Sequence, residues 1–462
     1  MLSYIACMSS NARGNGTALS NPHSARGLII AAPRSSSGKT MLTLGLMRAW
    51  RKMGVAIAGT KNGPDYIDPA FHEVATGRQS YNLDTYAMPP SLILALAEEA
   101  SQDEAIILCE GSMGLFDGVV APEGRSGASA DLAALFGWPV VLVLDVKGQA
   151  QTAAAIVKGC ATYDPRVRIG GVILNNVSSE RHRVLITEAI AQLGLPVLGS
   201  LPRDAAMDWP ERHLGLVQAR ETPDLESKLE ALADFVAANV DLAGLLDLAR
   251  EQPLAIPSHI QTLAPPAQNI AIARDEAFSF LYPHLLLGWR RAGAEFTFFS
   301  PLADEPVPHH CDFCWLPGGY PELHAGRLAA AERFLASLGS FAQRGIHGEC
   351  GGYMLLGESL TDAAGKAHRM AGLLGHSCSF EKRRLHLGYR EARLAADGAL
   401  GAAGSLLRGH EFHYATVSET HDEPFAEVHD AQGKLAHPGS RRGRVSGSFF
   451  HVIAPASLML AP

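Results

Sequence analysis

From Gly27 onward the chain alternates short, nearly unbroken apolar runs with longer amphipathic stretches. The runs are LIIAA (28–32), VAIAG (55–59), AIILC (105–109), VVLVLD (140–145), GGVILN (170–175) and PVLGSL (196–201). Runs without polar alternation are those of strands buried on both faces, and the helical stretches between them predict a parallel α/β sheet. Residues 225–249 read as helical, and 252–268 is a proline-rich stretch without periodicity, the best place for a domain boundary. A second alternating set starts at NIAIA (269–273) and continues through AEFTFFS (294–300) and FCWLPGGYPE (313–322). From about 370 to 450 short strands and turns predict an antiparallel end to the second half. The expected division is an extension without order over 1–26, a first domain over 27–250, a linker over 251–268 and a second domain over 269–462.

With 462 residues the chain is too long for one ordinary core. A hydrophobic share of 47% against 19% charged leaves little room for long disordered segments. The net charge of −8, with no lysine- or arginine-rich run to offset it, excludes a general nucleic-acid binder. No apolar run approaches the ~20 residues of a membrane span, and residues 1–26 lack the order of a secretory signal. Seven cysteines, an odd number without regular spacing, point to a reducing cytoplasm. Cys311 and Cys314 form a lone CxxC that reads as a strand ending in a turn, so neither a zinc site nor a redox site is expected there.

Directly after the first strand comes APRSSSGKT (32–40), then a helix-like segment. A Gly-Lys-Thr at a strand-to-helix turn cradles phosphates on its N–H groups, with a lysine charge and a hydroxyl for Mg²⁺. Ser37, Gly38, Lys39 and Thr40 are therefore the candidate ATP-binding residues, although Pro33 holds the place of the motif's first glycine. Two acidic segments, TKNGPDYIDPAFH (60–72) and CEGSMGLFDG (109–118), follow the second and third strands. Ligands of such sheets bind at the carboxyl ends of strands, so Asp65, Asp68, Glu110 and Asp117 are expected near the phosphates. Lys61 is a candidate for neutralising a phosphorylated or carboxylate substrate.

The stretch GIHGECGGYMLLG (345–357) reads as a strand, a tight turn with Cys350 at its apex, and a helix. Such an elbow exposes a nucleophile beside free backbone N–H groups, and the helix N-terminus is expected to lower the thiol pKa. About a hundred residues on, GSFFHVIA (447–454) presents His451 as a candidate base.

Together these blocks, with LPGGYPELHA (316–325), GHEFHY and SFFH, closely resemble the a,c-diamide synthases of corrinoid biosynthesis. The resemblance covers the chain from Gly27 to its end. It implies an N-terminal P-loop domain like dethiobiotin synthetase and a C-terminal class I glutamine amidotransferase domain. It also implies ATP- and glutamine-dependent amidation of hydrogenobyrinic or cobyrinic acid, with a lean to the metal-free macrocycle. By that similarity Thr40, Asp65 and Glu110 hold Mg²⁺, Lys39 is the phosphate lysine, and Lys61, Tyr66, Asp68 and Asp117 stand on the substrate side. Asn175 resembles an adenine-reading asparagine, with Asn176 as the alternative. Cys350 attacks glutamine, His451 shuttles the proton, and the N–H groups of Gly351 and Gly319 form the oxyanion hole. Class I domains usually carry a glutamate two residues beyond the histidine; here that residue is Ile453, so a Cys–His dyad is expected. Cobyric acid synthase, a nickel-sirohydrochlorin diamide synthase and a P-loop regulator with an inactive second domain are the rival readings. No nucleic-acid or membrane partner is expected, and a homodimer is left open.

Overall fold

The computed structural model describes residues 23–204, 209, 211–212, 215–254, 260–418 and 420–456. The first part of the expected extension, 1–22, lies outside the described residues. Its last residues do not fit the expectation, because strand β1 runs His23–Ala31. Ala25 is buried, and the guanidinium of Arg26 donates to the Ala249 carbonyl oxygen at 3.1 Å. Pairing with a strand more than 220 residues away orders this segment.

β1 joins β2 (Ile57–Asn62), β3 (Tyr81–Leu83), β4 (Ile106–Glu110), β5 (Val140–Asp145), β6 (Ile169–Val177) and β7 (Val197–Pro202) in one sheet. Their order is β3-β2-β4-β1-β5-β6-β7, and these neighbours are parallel. Alternate β1 residues feed two layers. Leu28 and Ile30 pack with Leu42, Leu46 and Trp50 of the helix Lys39–Lys52, while Ile29 packs with Leu92, Ile93 and Leu96 of the helix Pro90–Ala100. A small hairpin, β8 (Glu211–Arg212) and β9 (Gly215–Leu216), follows. The helix expected over 225–249 is two, Leu225–Asn239 and Leu242–Leu248, because Val240 bridges to Gly199 and the Asp241 side chain caps the second. β10 (Arg250–Leu254) pairs antiparallel with β1, so the chain is still part of the first sheet where the linker was expected to begin.

The second half builds a sheet from β11 (Asn269–Ala273), β12 (Glu295–Phe299), β13 (Phe313–Leu316) and β14 (Ile346–Glu349). Six short strands follow: β15 (Ser359–Thr361), β16 (Ala367–Arg369), β17 (Ser377–Ser379), β18 (His386–Leu394), β19 (Leu406–His413) and β20 (Thr416–Val417). The last four are β21 (Ala426–Asp430), β22 (Ser440–Arg442), β23 (Val445–Ser448) and β24 (His451–Pro455). The central order is β12-β11-β13-β14-β23-β22, and β21-β18-β19-β24 forms an antiparallel sheet beside it. β23 thus lies in the main sheet between β14 and the edge strand β22, and β24, two residues later, belongs to the second sheet.

The halves are packed together. Tyr86 of the first stacks on Tyr389 of the second with ring centroids 4.2 Å apart, and Arg408 donates to the Tyr86 carbonyl oxygen at 3.1 Å. No described helix is long and apolar enough to cross a membrane.

Candidate functional site

Two sites sit at the carboxyl ends of the two sheets. At the first, the β1 turn ends at Gly38, whose φ of 91° is left-handed, a conformation glycine adopts without strain. Lys39 begins the helix, and its ammonium donates to the Met113 carbonyl oxygen at 2.7 Å. Burial, then the nearby Lys61 charge, brings Lys39 down to about 8. Ser37 is tied down by its own hydroxyl to Arg34 and by the Asn175 amide, which donates to the Ser37 carbonyl oxygen at 3.0 Å. Asn175 thus braces the phosphate loop, while the neighbouring Asn176 amide bonds Asp145, which also holds Arg34.

Of the four acids expected together, Asp65, Asp68 and Glu110 meet at Lys61, and Asp117 does not join that contact. The Thr40 hydroxyl donates to Glu110 Oε1 at 2.6 Å. Lys61, at the end of β2, donates to the same oxygen at 2.9 Å and to Asp68 at 2.6 Å, with Asp65 3.9 Å away. Burial works against the charge on Lys61, but these carboxylates outweigh it and hold the ammonium protonated. Burial likewise opposes ionisation of Glu110, yet Lys61, His72 and Thr40 keep its pKa well below the usual carboxylate range. His72, absent from the sequence reading, lies 2.9 Å from Glu110 Oε2; its signal was a polar side chain at a helical interval behind Asp68. Asp65 Oδ1 accepts from the N–H groups of Ile67 and Asp68, which fixes the start of the helix Asp68–Thr76. Asp117 shapes the loop after β4, accepting from the Gly114 N–H at 2.9 Å. Hard oxygen donors beside a phosphate loop are the set Mg²⁺ prefers, so Thr40, Glu110 and Asp65 fit that ion.

At the second site, the residue after β14 is Cys350 with φ 45° and ψ −99°, the strained apex of an elbow, before the helix Gly351–Leu356. The thiol expectation fails here. Cys350 is 2% exposed, and burial followed by the Glu322 charge pushes the thiol well above its usual value. A helix of six residues cannot offset that desolvation. The thiol points toward the Phe412 carbonyl oxygen, 3.7 Å away. His451 at the start of β24 is fully buried, which takes its imidazole down to about 3. Gly318 lets the two meet: a Cβ there would stand 2.3 Å from His451 Cε1, 3.2 Å from Nε2 and 3.3 Å from Cys350 Cβ. The N–H groups of Ser279 and Phe280 both hold the Gly318 carbonyl. The Gly319 N–H therefore points the opposite way across that trans peptide. Gly319 and Gly351 lie side by side, since a Cβ on Gly351 would be 3.0 Å from the Gly319 nitrogen. Cys350, Gly319, Tyr320 and Phe412 line one small cavity. Glu349, also absent from the sequence reading, is buried with Oε2 3.8 Å from His451 Nδ1.

Tyr66 connects the sites. It lies between Asp65 and Ile67, yet its ring stacks on Phe280 (4.9 Å, 6°) and meets Tyr282 at 4.3 Å and His451 at 5.3 Å. Between the halves lies a cavity of about 740 Å³, lined among others by Asp65, Tyr66, Phe280, Arg220, Arg274 and Arg290.

Known proteins match along the whole described length. The CobQ/CobB/MinD/ParA nucleotide binding domain profile matches residues 28–217, and that of the CobB/CobQ-like glutamine amidotransferase domain matches 269–458. Hydrogenobyrinate a,c-diamide synthase of Mesorhizobium japonicum is 57% identical over 94% of this chain and 99% of its own. The enzymes of the same name from Agrobacterium fabrum and Rhodobacter capsulatus are 55% and 58% identical, each over 93% of this chain and 99% of their own. A solved structure of chloroplast FtsY from Physcomitrella patens overlaps 45% of this chain and 65% of its own at 19% identity and TM-score 0.30, too low to add to this. A nucleotide-binding half and a glutaminase half, matched end to end at such identity, place the chain in the hydrogenobyrinate a,c-diamide synthase family, as a glutamine-dependent amidating ligase.

Proposed function

We propose that this enzyme converts the a and c acetate carboxylates of hydrogenobyrinic acid to amides in cobalamin biosynthesis, consuming ATP and glutamine in the cytoplasm. The observation that carries this reading is the junction beside the cavity between the halves: Asp65 on its wall lies 3.9 Å from Lys61 of the phosphate cluster, and the ring of the adjacent Tyr66 meets His451. Four arginines on the cavity wall, Arg51, Arg220, Arg274 and Arg290, suit a macrocycle rich in carboxylates. The relatives' printed name supports the metal-free macrocycle.

In the glutaminase site Cys350 sulfur bonds the carboxamide carbon of glutamine as its proton passes to His451 Nε2. The proton then goes to the departing nitrogen, the C–N bond breaks, and ammonia leaves a thioester. Water attacks the thioester, giving one proton to Nε2 and from there to sulfur, and glutamate is released. The Gly319 and Gly351 N–H groups take the developing oxyanion.

A carboxylate is a poor electrophile, so the ATP half first transfers a phosphoryl group to the substrate oxygen, releasing ADP. Ammonia then displaces phosphate to leave the amide, and the cycle repeats on the second acetate. Lys39 and the N–H groups of Ser37 and Gly38 bind the phosphates; Lys61, released from Asp68 or Glu110, neutralises the acyl phosphate. Thr40, Glu110 and Asp65 would hold Mg²⁺, which supplies further neutralisation of phosphate charge. Asp68 and Asp117 order the loops facing the macrocycle, and Asn175 keeps the phosphate loop in shape beneath the adenine side. Six described cysteines are free and buried, a state that suits a reducing compartment.

The test uses hydrogenobyrinic acid with ¹⁸O in its carboxylates. Diamide by mass, one ADP per amide and ¹⁸O in the released phosphate are expected. Amide formed without label transfer would rule out the acyl phosphate, and preference for cobyrinic acid at equal concentration would move the assignment to the cobalt-containing macrocycle.

A further inference from the structure

The residue two places beyond His451 cannot orient it. Ile453 is buried in the apolar core, and its carbonyl oxygen is engaged by His284 Nε2 at 2.8 Å. A buried imidazole that must accept a proton on Nε2 needs its Nδ1 to keep a proton, and that tautomer needs an acceptor on the far side of the ring. Neither ring nitrogen of His451 has a hydrogen-bond partner among the described residues. The carboxylate within ion-pair range is Glu349: Oε2 stands 3.8 Å from Nδ1, and Oε1 is fixed by the Val452 N–H at 2.9 Å. The anchor matters, because Val452 follows His451 directly in β24. Glu349 is thus tethered to the strand that carries the histidine and to the nucleophile that follows it in sequence. At 3.8 Å the contact is not yet a hydrogen bond, and catalytic contacts of this kind tighten when substrate is bound.

We propose that Glu349 is the positioning residue of the glutaminase site: its carboxylate holds His451 with the proton on Nδ1, so that Nε2 is free to take the Cys350 proton. It replaces, from the strand before the nucleophile, the glutamate that related amidotransferases place after the histidine. Glu349 itself neither gives nor takes a proton in turnover. The titratable groups facing the pair are His410, stacked on His451 at 4.9 Å, and His413, which burial keeps neutral, together with Tyr66, Tyr282 and Cys350. Burial holds His410 neutral and pushes both tyrosines and the thiol well above their usual values. Burial also raises Glu349, to about 8, against the Val452 N–H. Glu349 is therefore the group of this cluster that ionises in the assay range, and the carboxylate form dominates above it.

This rests on the roles given above to Cys350 and His451. The experiment compares glutamine hydrolysis and ammonium-dependent amidation in the wild type, Glu349→Gln and Cys350→Ser. A glutamine side chain keeps the shape and still accepts from the Val452 N–H, but turns an N–H toward Nδ1 and favours the wrong tautomer. Expected for Glu349→Gln is a loss of about a hundredfold or more in glutaminase kcat with KM within about threefold, and ammonium-dependent amidation unchanged. The wild-type kcat/KM should rise with pH through about 8, and this limb should be missing in the variant. Near-normal hydrolysis by Glu349→Gln overturns the proposal, since a residue needed only to bond Val452 is replaced well by glutamine. A rise in KM alone would make Glu349 a glutamine-binding residue, and parallel loss of both activities would make it a folding element; either overturns it. Glutamine-dependent amidation by Cys350→Ser would instead overturn the underlying reading and leave Glu349 without a histidine to serve.

Discussion

The two sites are joined through Tyr66 yet are built in opposite ways. The phosphate site is dense with charge: Lys61, Asp65, Asp68 and Glu110 are already knit together, Lys61 alone meeting three carboxylates, and Lys39 stands beside them on backbone carbonyls. The glutaminase site holds its charge in check. Burial leaves His451 unprotonated and Cys350 as a thiol, and the ring nitrogens of His451 have no partners among the described residues. The difference follows from the chemistry. Phosphoryl transfer needs fixed charge placed before the substrate arrives, which a mutually compensating cluster supplies without an unpaired buried ion. Thiol chemistry needs a proton moved only once glutamine is seated, and a neutral resting pair avoids idle reactivity.

The sharpest way to break this comparison is to remove charge from one side. Lys39→Ala should lower ATP-dependent amidation by about a hundredfold or more with either nitrogen source, while glutaminase persists. A Lys39→Ala enzyme that amidates normally from ammonium would remove Lys39 from the phosphate site. Next in size is a steric insult to the other side. Gly318→Ala puts a methyl within 2.3 Å of His451 Cε1. Glutaminase should fall at least about thirtyfold, with ammonium-dependent amidation within about twofold of wild type. Equal loss of both activities would mean that the sites are not separable there.

A smaller effect sharpens the division among the acids. Glu110→Gln should raise the Mg²⁺ concentration for half-maximal rate by about tenfold, whereas Asp68→Asn, which loses the 2.6 Å Lys61 pair, should mainly raise KM for the macrocycle. Superimposable Mg²⁺ titrations for the two variants would contradict that split. The smallest effect is a pH contrast. Lys39 sits at about 8, so its charge is present below that pH and lost above it; KM for ATP should climb severalfold between pH 7.5 and 9. Steady-state kinetics at saturating ammonium measures this, and a flat ATP profile would mean that Lys39 stays protonated throughout.

How much of this was legible in the sequence depends on how local each feature is. β5 and β11 match their apolar runs to the residue, because an unbroken β-branched run leaves little choice of boundary. The turns that carry Lys39 and Cys350 were legible because strand, turn and helix come in sequence order around them, and the place of His451 because it lies in an apolar strand segment. What pairing across long separation decides was not. β10 and the first residues of β1 order each other across more than two hundred residues. The thiol pKa went the other way because burial by Phe412 and its neighbours outweighs a short helix, and burial is a tertiary property. Glu349 stood beside Cys350 in plain view, but a histidine's partner was sought downstream of it. Only the adjacency of β14 and β23 brings the residue before the nucleophile up to β24. Tyr66 was assigned to the substrate side from its block; nothing local signals that its ring also reaches His451.

The claim that two separable half-sites serve one amidation is tested most directly by Cys350→Ser, assayed for diamide formation with glutamine and with ammonium at mildly alkaline pH. Glutamine-dependent amidation should fall by about a thousandfold, since a serine hydroxyl is a far weaker nucleophile, while the ammonium-dependent rate stays within about twofold of wild type. A variant that still uses glutamine, or one equally dead with ammonium, would contradict the account.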